Sequence, residues 1–246
     1  MNIQLSDHFN YKKLFLFTLP SVVMMVFTSV YCVVDGFFVS NFAGKTAFAA
    51  INLIMPFIMI LGGIGFMIGT GGSALVSYTL GTGDKQKANR YFSMLVYFTI
   101  LAGILLTVLG IIFVRPIAEL FGADESMMDT CVLYGRIVIA FNAAFMLQNI
   151  FQSFFVVAEK PRLGLIVTIA AGVTNMVLDA LFVGVFKWGI VGAALATGIS
   201  QSIGGLLPLL YFALPNNSPL QLTRTGFELA PLLKASSNGC SELMSN

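Results

Sequence analysis

Residues 46–83 read TAFAAINLIMPFIMILGGIGFMIGTGGSALVSYTLGTG, 38 consecutive residues without a charged side chain. A membrane crossing takes about 20 apolar residues. The stretch can therefore hold one long helix, or two short ones with Pro56 and the glycines marking a turn. The distribution of charge around it favours one helix. Uncharged intervals elsewhere run from Leu14 to Gly44 with only Asp35 inside, and from Tyr91 to Val114 with none. Thr130 to Ala158 contains only Arg136, and Leu163 to Phe186 only Asp179. The last interval runs from Trp188 to an apolar limit near Pro215. Six spans with the N-terminus in the cytoplasm put Lys12, Lys13, Lys85, Lys87, Arg90, Lys160, Arg162, Arg224 and Lys234 inside. Only Lys45, Arg115 and Lys187 then lie outside, nine basic residues against three. Splitting residues 46–83 into two spans reduces this to eight against four at best, so the positive-inside rule selects six.

Composition supports the same class. Hydrophobic residues make up 57% of the 246 and charged residues 10%, with a mean hydropathy of +0.90. The usual charged share is near ~25%, and this chain lacks the charge to cover a soluble surface. The reading is an all-α polytopic membrane protein. A net charge of +2 is too small to draw a nucleic-acid partner. Three scattered cysteines, Cys32, Cys131 and Cys240, form neither a disulfide framework nor a metal knuckle. Cys32 reads as a small buried residue. His8, the only histidine, cannot build a metal site alone.

Small residues recur every fourth position in the second span, at Gly65, Gly69, Ser73, Ser77 and Gly81. Such a stripe lets a neighbouring backbone approach closely. Residues 1–13 read as a cytoplasmic N-terminal segment and 14–214 as a six-helix transmembrane lobe. Residues 215–246 turn polar and read as a cytoplasmic linker followed by the opening of a further segment. Within it, Leu220–Leu233 is expected to lie on the inner face as an amphipathic stretch.

An ionised side chain in the middle of a span costs at least ~2.5–3.5 kcal/mol on insertion scales, so such residues are functional candidates. Asp179 lies roughly 10 Å and Asp35 at most roughly 13 Å below the outer ends of their helices, from a rise of 1.5 Å per residue. The two carboxylates therefore share a depth. Asn175 lies one turn before Asp179 on the same face. Thr197 reaches similar depth on the sixth span, with Gln201 one turn further on its face. Oxygen donors of this kind suit a hard cation. Two carboxylates crowded together in low dielectric need either a cation between them or a proton on one. The expected cargo is a monovalent cation, possible Na+, or a proton. Arg136 sits near an outer end and can snorkel to the interface. Gln148 and Gln152, one turn apart on the fourth span, can face an aqueous cavity or bond between helices. Pro20 weakens the first helix one turn inside its start. An intramembrane aspartyl protease also needs two membrane aspartates, but Val34 precedes Asp35 and Val177–Leu178 precedes Asp179, which does not fit that chemistry. No catalytic residue and no cofactor are expected.

The motifs together resemble the multidrug and toxic compound extrusion (MATE) transporters. They are LPSVVMMVFTSVYCVVDGFFV (19–39), GTGGSALVSYTLGTGDKQKANR (69–90), NMVLD (175–179) and GIVGAALATGIS (189–200). The resemblance implies a twelve-helix fold of two six-helix lobes, of which this chain carries one. It implies export of organic cations and amphiphilic drugs across the cell membrane, driven by Na+ or H+ entry. It also implies that Asp35, Asn175, Asp179 and Thr197 form the cation or proton site. By the same resemblance Gln148, Gln152 and Gln201 line the substrate cavity, and Pro20 marks the bending point of the first helix. The ending SSNGCSELMSN (236–246) resembles the entry to a seventh helix, so a C-terminal lobe is the expected partner. A flippase for lipids or lipid-linked oligosaccharides, from the same wider superfamily, is the alternative.

Overall fold

The computed structural model describes residues 11–226 and 228–245. His8 and most of the expected N-terminal segment lie outside the described residues. The elements run α1 (Tyr11–Phe38), a π-helical segment (Val39–Ala43), α2 (Lys45–Gly81) and α3 (Lys85–Leu120). They continue with α4 (Glu125–Ala140), α5 (Asn142–Val157), α6 (Pro161–Asp179) and a second π-helical segment (Ala180–Val185). α7 (Gly189–Ala213) and α8 (Leu229–Ser245) complete the order. Five of the described stretches are long and apolar enough to cross a membrane, and α4 with α5 form a sixth span bent by 54°.

The ambiguous stretch is one helix. α2 runs through Pro56 for 37 residues. Its glycines explain how helices of bulky apolar residues can pack this closely, since lipid tails give helix faces no hydrophobic reason to associate. A Cβ on Gly65 would stand 2.6 Å from the Met146 backbone, and one on Gly69 2.9 Å from that of Ile150, both on α5. The stripe expected from the sequence is thus used at its first two positions. Gly81 at its far end faces open space. Gly71, outside that stripe, meets α8: its Cβ would collide with the carbonyl of Ala235, and Gly239 meets the Met67 carbonyl in the same way.

The break in the fourth span falls at Phe141, where the backbone leaves helical geometry. The Phe141 ring occupies the space left by Gly198 on α7, where a Cβ would collide with it. Two apolar cores follow from this packing. One gathers Phe92, Phe151, Phe154 and Phe212, with Phe92 and Phe154 edge to face at 4.8 Å between ring centroids. This is the end of the lobe that carries the α2–α3, α5–α6 and post-α7 loops, called here the basic end. The other core gathers Ile54, Ile58, Val114, Ile139 and Tyr134 toward the opposite end.

α1 is the least embedded span, with 11% of its window buried. It rests mainly on α6, where Phe27 and Tyr31 cover Gly172. This explains a correction: Cys32 is exposed rather than buried, because the side of α1 away from α6 has few neighbours. The linker also differs from expectation. Residues 220–226 are irregular, and the amphipathic stretch divides where α8 starts. The irregular part is tied to the start of α3. The Gln221 amide donates to Asn89 Oδ1 at 3.0 Å, the Thr223 amide to Ser93 Oγ at 2.8 Å, and Arg90 pairs with Glu228 at 3.4 Å.

Outside the spans, α4 begins with a side-chain cap at Asp124. The Ser126 hydroxyl donates to its Oδ1 at 2.6 Å and the Met127 amide at 3.0 Å. These bonds, the Ser126 hydroxyl foremost, hold the Asp124 carboxyl below its ordinary range. A folded pKa below the unfolded one means the cap contributes above the unfolded value and is lost as pH falls through the folded one. Amide exchange at the start of α4, corrected for its intrinsic rate, should rise as Asp124 is protonated. In Asp124→Ala, which removes the acceptor, it should be faster and free of that step; an equal profile in both would refute the cap's role.

Candidate functional site

α1 and α6 run parallel, joined where Phe27 and Tyr31 cross Gly172. Asp35 comes one turn after Tyr31 and Asp179 two turns after Gly172, so the register brings both carboxyl groups to one level. They lie within hydrogen-bonding reach of each other. Asp179 is fully buried and Asn175, one turn before it, is 2% exposed. Asp35 is half-buried and borders a cavity of about 410 Å3 between α1 and α2 that also includes Ser40 and Asn52. Both helices change to π geometry just beyond their carboxylate, at Val39 and at Ala180, and the two π segments touch. Such turns are often found at functional sites.

Of the four residues expected to form the site, Asp35 and Asp179 meet directly and Asn175 shares the buried face of α6. Thr197, half-buried on α7, lies near the Tyr134 side chain on α4. Tyr134 is 2% exposed, and its hydroxyl is near enough to Asp35 and Asp179 to feel both charges. Sequence reading missed it. The available signal was a tyrosine two positions from the charged Arg136 inside an apolar span, since a buried tyrosine hydroxyl normally finds a partner.

The donor set is chemically uniform. Asp35 Oδ1, both Asp179 oxygens and Asn175 Oδ1 are buried, and when ionised the carboxylates find no protein donor. Acceptors facing acceptors at low dielectric are stable only if something positive lies among them. A proton makes one carboxyl a donor to the other, and a small hard cation serves the same purpose with oxygen ligands. The residues therefore fit either cargo.

The three glutamines group differently. Gln148 and Gln201 are each 9% exposed with an unpartnered Oε1. Gln148 packs on Gly204, three residues along the face of Gln201. Gln152, half-buried, joins Gln148 and Thr168 around a void of only about 10 Å3. Drug-sized pockets hold roughly 300–1,000 Å3, so no substrate-sized space opens among the glutamines in this conformation. Pro20 lies within a continuous α1. Arg136 is exposed on α4 and takes no part in the carboxylate cluster.

Comparison with known proteins follows the same outline. The MatE family model matches residues 20–181. The multidrug export protein MepA of Staphylococcus saprophyticus is 26% identical over 202 residues, covering 82% of this chain and 45% of its own. Two solved structures share the fold at 20% identity. One is an outward-facing multidrug resistance MATE family transporter of the MOP superfamily, with a TM-score of 0.86 over 94% of this chain and 53% of that one. The other is a MOP superfamily transporter from Pyrococcus furiosus, with a TM-score of 0.87 over 95% and 52%. This chain thus spans about half the length of the proteins it matches. With the family match running from the proline of α1 to just past the carboxylate of α6, the chain belongs to the MATE family.

Proposed function

We propose that this chain is a coupling lobe of a multidrug exporter, loading a sodium ion or a proton on Asp35, Asp179, Asn175 and Thr197 to drive efflux of cationic or amphiphilic drugs. The observation that carries the reading is the meeting of two carboxyl groups from separate helices at a buried level. Neither is neutralised by a basic side chain among the described residues, so their charge is free to be answered by a mobile cation. Loading changes the repulsion between α1 and α6, and α1 is the span with the least packing to resist a shift. The drug pathway lies against the face carrying Gln148, Gln152 and Gln201, and a second six-helix lobe supplies its other wall. Two lobes of six spans each are parallel repeats about the membrane normal, a known transporter plan.

The efflux test compares this chain alone with the same chain completed by the C-terminal half of MepA. Ethidium should leave cells carrying the completed protein, and efflux should stop when the sodium and proton gradients are both collapsed. Cells carrying this chain alone should retain the dye. Gradient-independent efflux would refute the coupling role, and translocation of a lipid-linked sugar in place of ethidium would favour the flippase alternative.

Orientation follows from charge. The basic end, with the start of α1 and the segment after α7, faces the cytoplasm of the cell that carries the protein, as the positive-inside bias requires. A membrane-impermeant thiol reagent applied outside should label a cysteine placed at Ala123, between α3 and α4, and should miss one placed at Gln86. Labelling in the opposite sense would overturn the orientation.

A further inference from the structure

At the basic end a cavity of about 650 Å3 opens between the start of α1, the first turns of α6 and the last turn of α7. Its walls and its rim differ in chemistry. The walls include Leu16 and Pro20 from α1 and Ile166 from α6, and Leu16 is 41% and Ile166 61% exposed. On a membrane helix, exposure of that kind is toward lipid chains. The rim carries Lys160 and Arg162, with Tyr211 at the end of α7. Neither cation is paired with an acid among the described residues, and Glu159, the one acid of the rim, is itself engaged.

Depth matches the bilayer interface. Lys160 precedes the first turn of α6, and Ile166 lies five residues past Pro161, roughly 7 Å deeper at the helical rise. Tyrosines such as Tyr211 favour the headgroup level. A drug that is an organic cation is repelled by such a rim. A free phosphate would leave the apolar walls unused. An amphiphile with a negative headgroup and an acyl chain fits both parts, as basic pockets between membrane helices do elsewhere.

We infer that this cavity seats an anionic glycerophospholipid, its phosphate between Lys160 and Arg162 and one acyl chain along Ile166 and Leu16. Its occupant lies against Pro20, where α1 lacks a backbone donor. The lipid therefore braces the weakest turn of the span that carries Asp35. Leaflet charge acts in this way on the element that the coupling site moves.

The test is lipid retention by the purified 246-residue chain in native mass spectrometry. Dioleoyl phosphatidylglycerol and dioleoyl phosphatidylcholine are added at equal concentration. Phosphatidylglycerol should be retained on the order of 25-fold more, since each of the two basic residues near an anionic headgroup is worth about a factor of five. Lys160→Gln with Arg162→Gln should erase the preference. Lys85→Gln with Lys87→Gln, which removes equal charge from the same end, should leave it intact. Equal retention of the two lipids by the unaltered chain would overturn the proposal, and that comparison needs no variant to fold. Equal loss in both double variants would reduce the effect to general surface charge and overturn it as well. Displacement of phosphatidylglycerol by millimolar inorganic phosphate would do the same, by making the site one for a free anion. As a second measurement, bimane attached to Ile166→Cys should be quenched by brominated-chain phosphatidylglycerol more than by the brominated phosphatidylcholine.

Discussion

Asp35→Asn and Asp179→Asn should each abolish the response of this lobe to sodium and to pH, and in a two-lobed version each should abolish coupled export. The reason is geometric. The two carboxyl groups are in hydrogen-bonding reach at a buried level, so neither binds a cation or shares a proton alone. A ligand at a hundredfold its dissociation constant stabilises the state it binds by about 2.7 kcal/mol. For a domain of this size that corresponds to roughly 5–10 °C in Tm. The unaltered chain in detergent should show a shift of that order when sodium is raised at fixed pH, or when pH is changed without sodium. Each single variant should show neither. The double variant should be little worse than either single, because residues acting as one unit are not additive. Insertion should survive, since a neutral amide costs less in the membrane than a charge. Thr197→Ala should weaken the response without removing it. A wild-type melting response in both single variants would refute the assignment.

The second large effect is one of packing. Gly65→Leu should prevent recovery of a monodisperse folded chain, while Gly81→Leu should be tolerated. Both glycines belong to the same four-residue repeat on α2. A Cβ at Gly65 would stand 2.6 Å from the Met146 Cα, against a backbone that cannot rotate away. At Gly81 there is nothing within 4 Å. Overpacking of a close contact typically costs 1–3 kcal/mol and occasionally more. Here the whole α2–α5 approach must widen, which also opens the Gly69–Ile150 contact below it. Gly81 sits at the helix end in open space and tolerates the larger residue. Size-exclusion profiles and melting curves of the two variants decide the matter; equal behaviour would refute the packing argument.

These two effects describe a lobe of uneven stiffness. α2, α3, α5 and α7 meet through glycines and a cluster of phenylalanines, and they form the rigid part. α1 rests on one main neighbour through Phe27, Tyr31 and Gly172, and it carries both Asp35 and Pro20. A change of charge at Asp35 therefore acts on the span with the fewest contacts opposing it.

Much of this is legible in the sequence. Charge-free intervals determine spans because a helix of about 20 residues must satisfy a bilayer's thickness and exclude charge from it. The same rule isolates Asp35 and Asp179, as each is an exception that needs a reason. Their shared depth follows from direction of crossing and rise per residue alone. Tertiary structure decided the rest. That Tyr134 comes near the carboxylates follows from α4 packing on α7 beside the 54° bend at Phe141, whose ring fills the space at Gly198. The glycine repeat on α2 is uniform in sequence, yet only Gly65 and Gly69 meet α5, while Gly71 receives α8. The exposure of Cys32 depends on how little of α1 its neighbours cover. Sequence reports what each helix must avoid, because lipid imposes the same cost everywhere along the chain. Which faces meet is set by where two shapes interlock, and that depends on residues far apart in the chain.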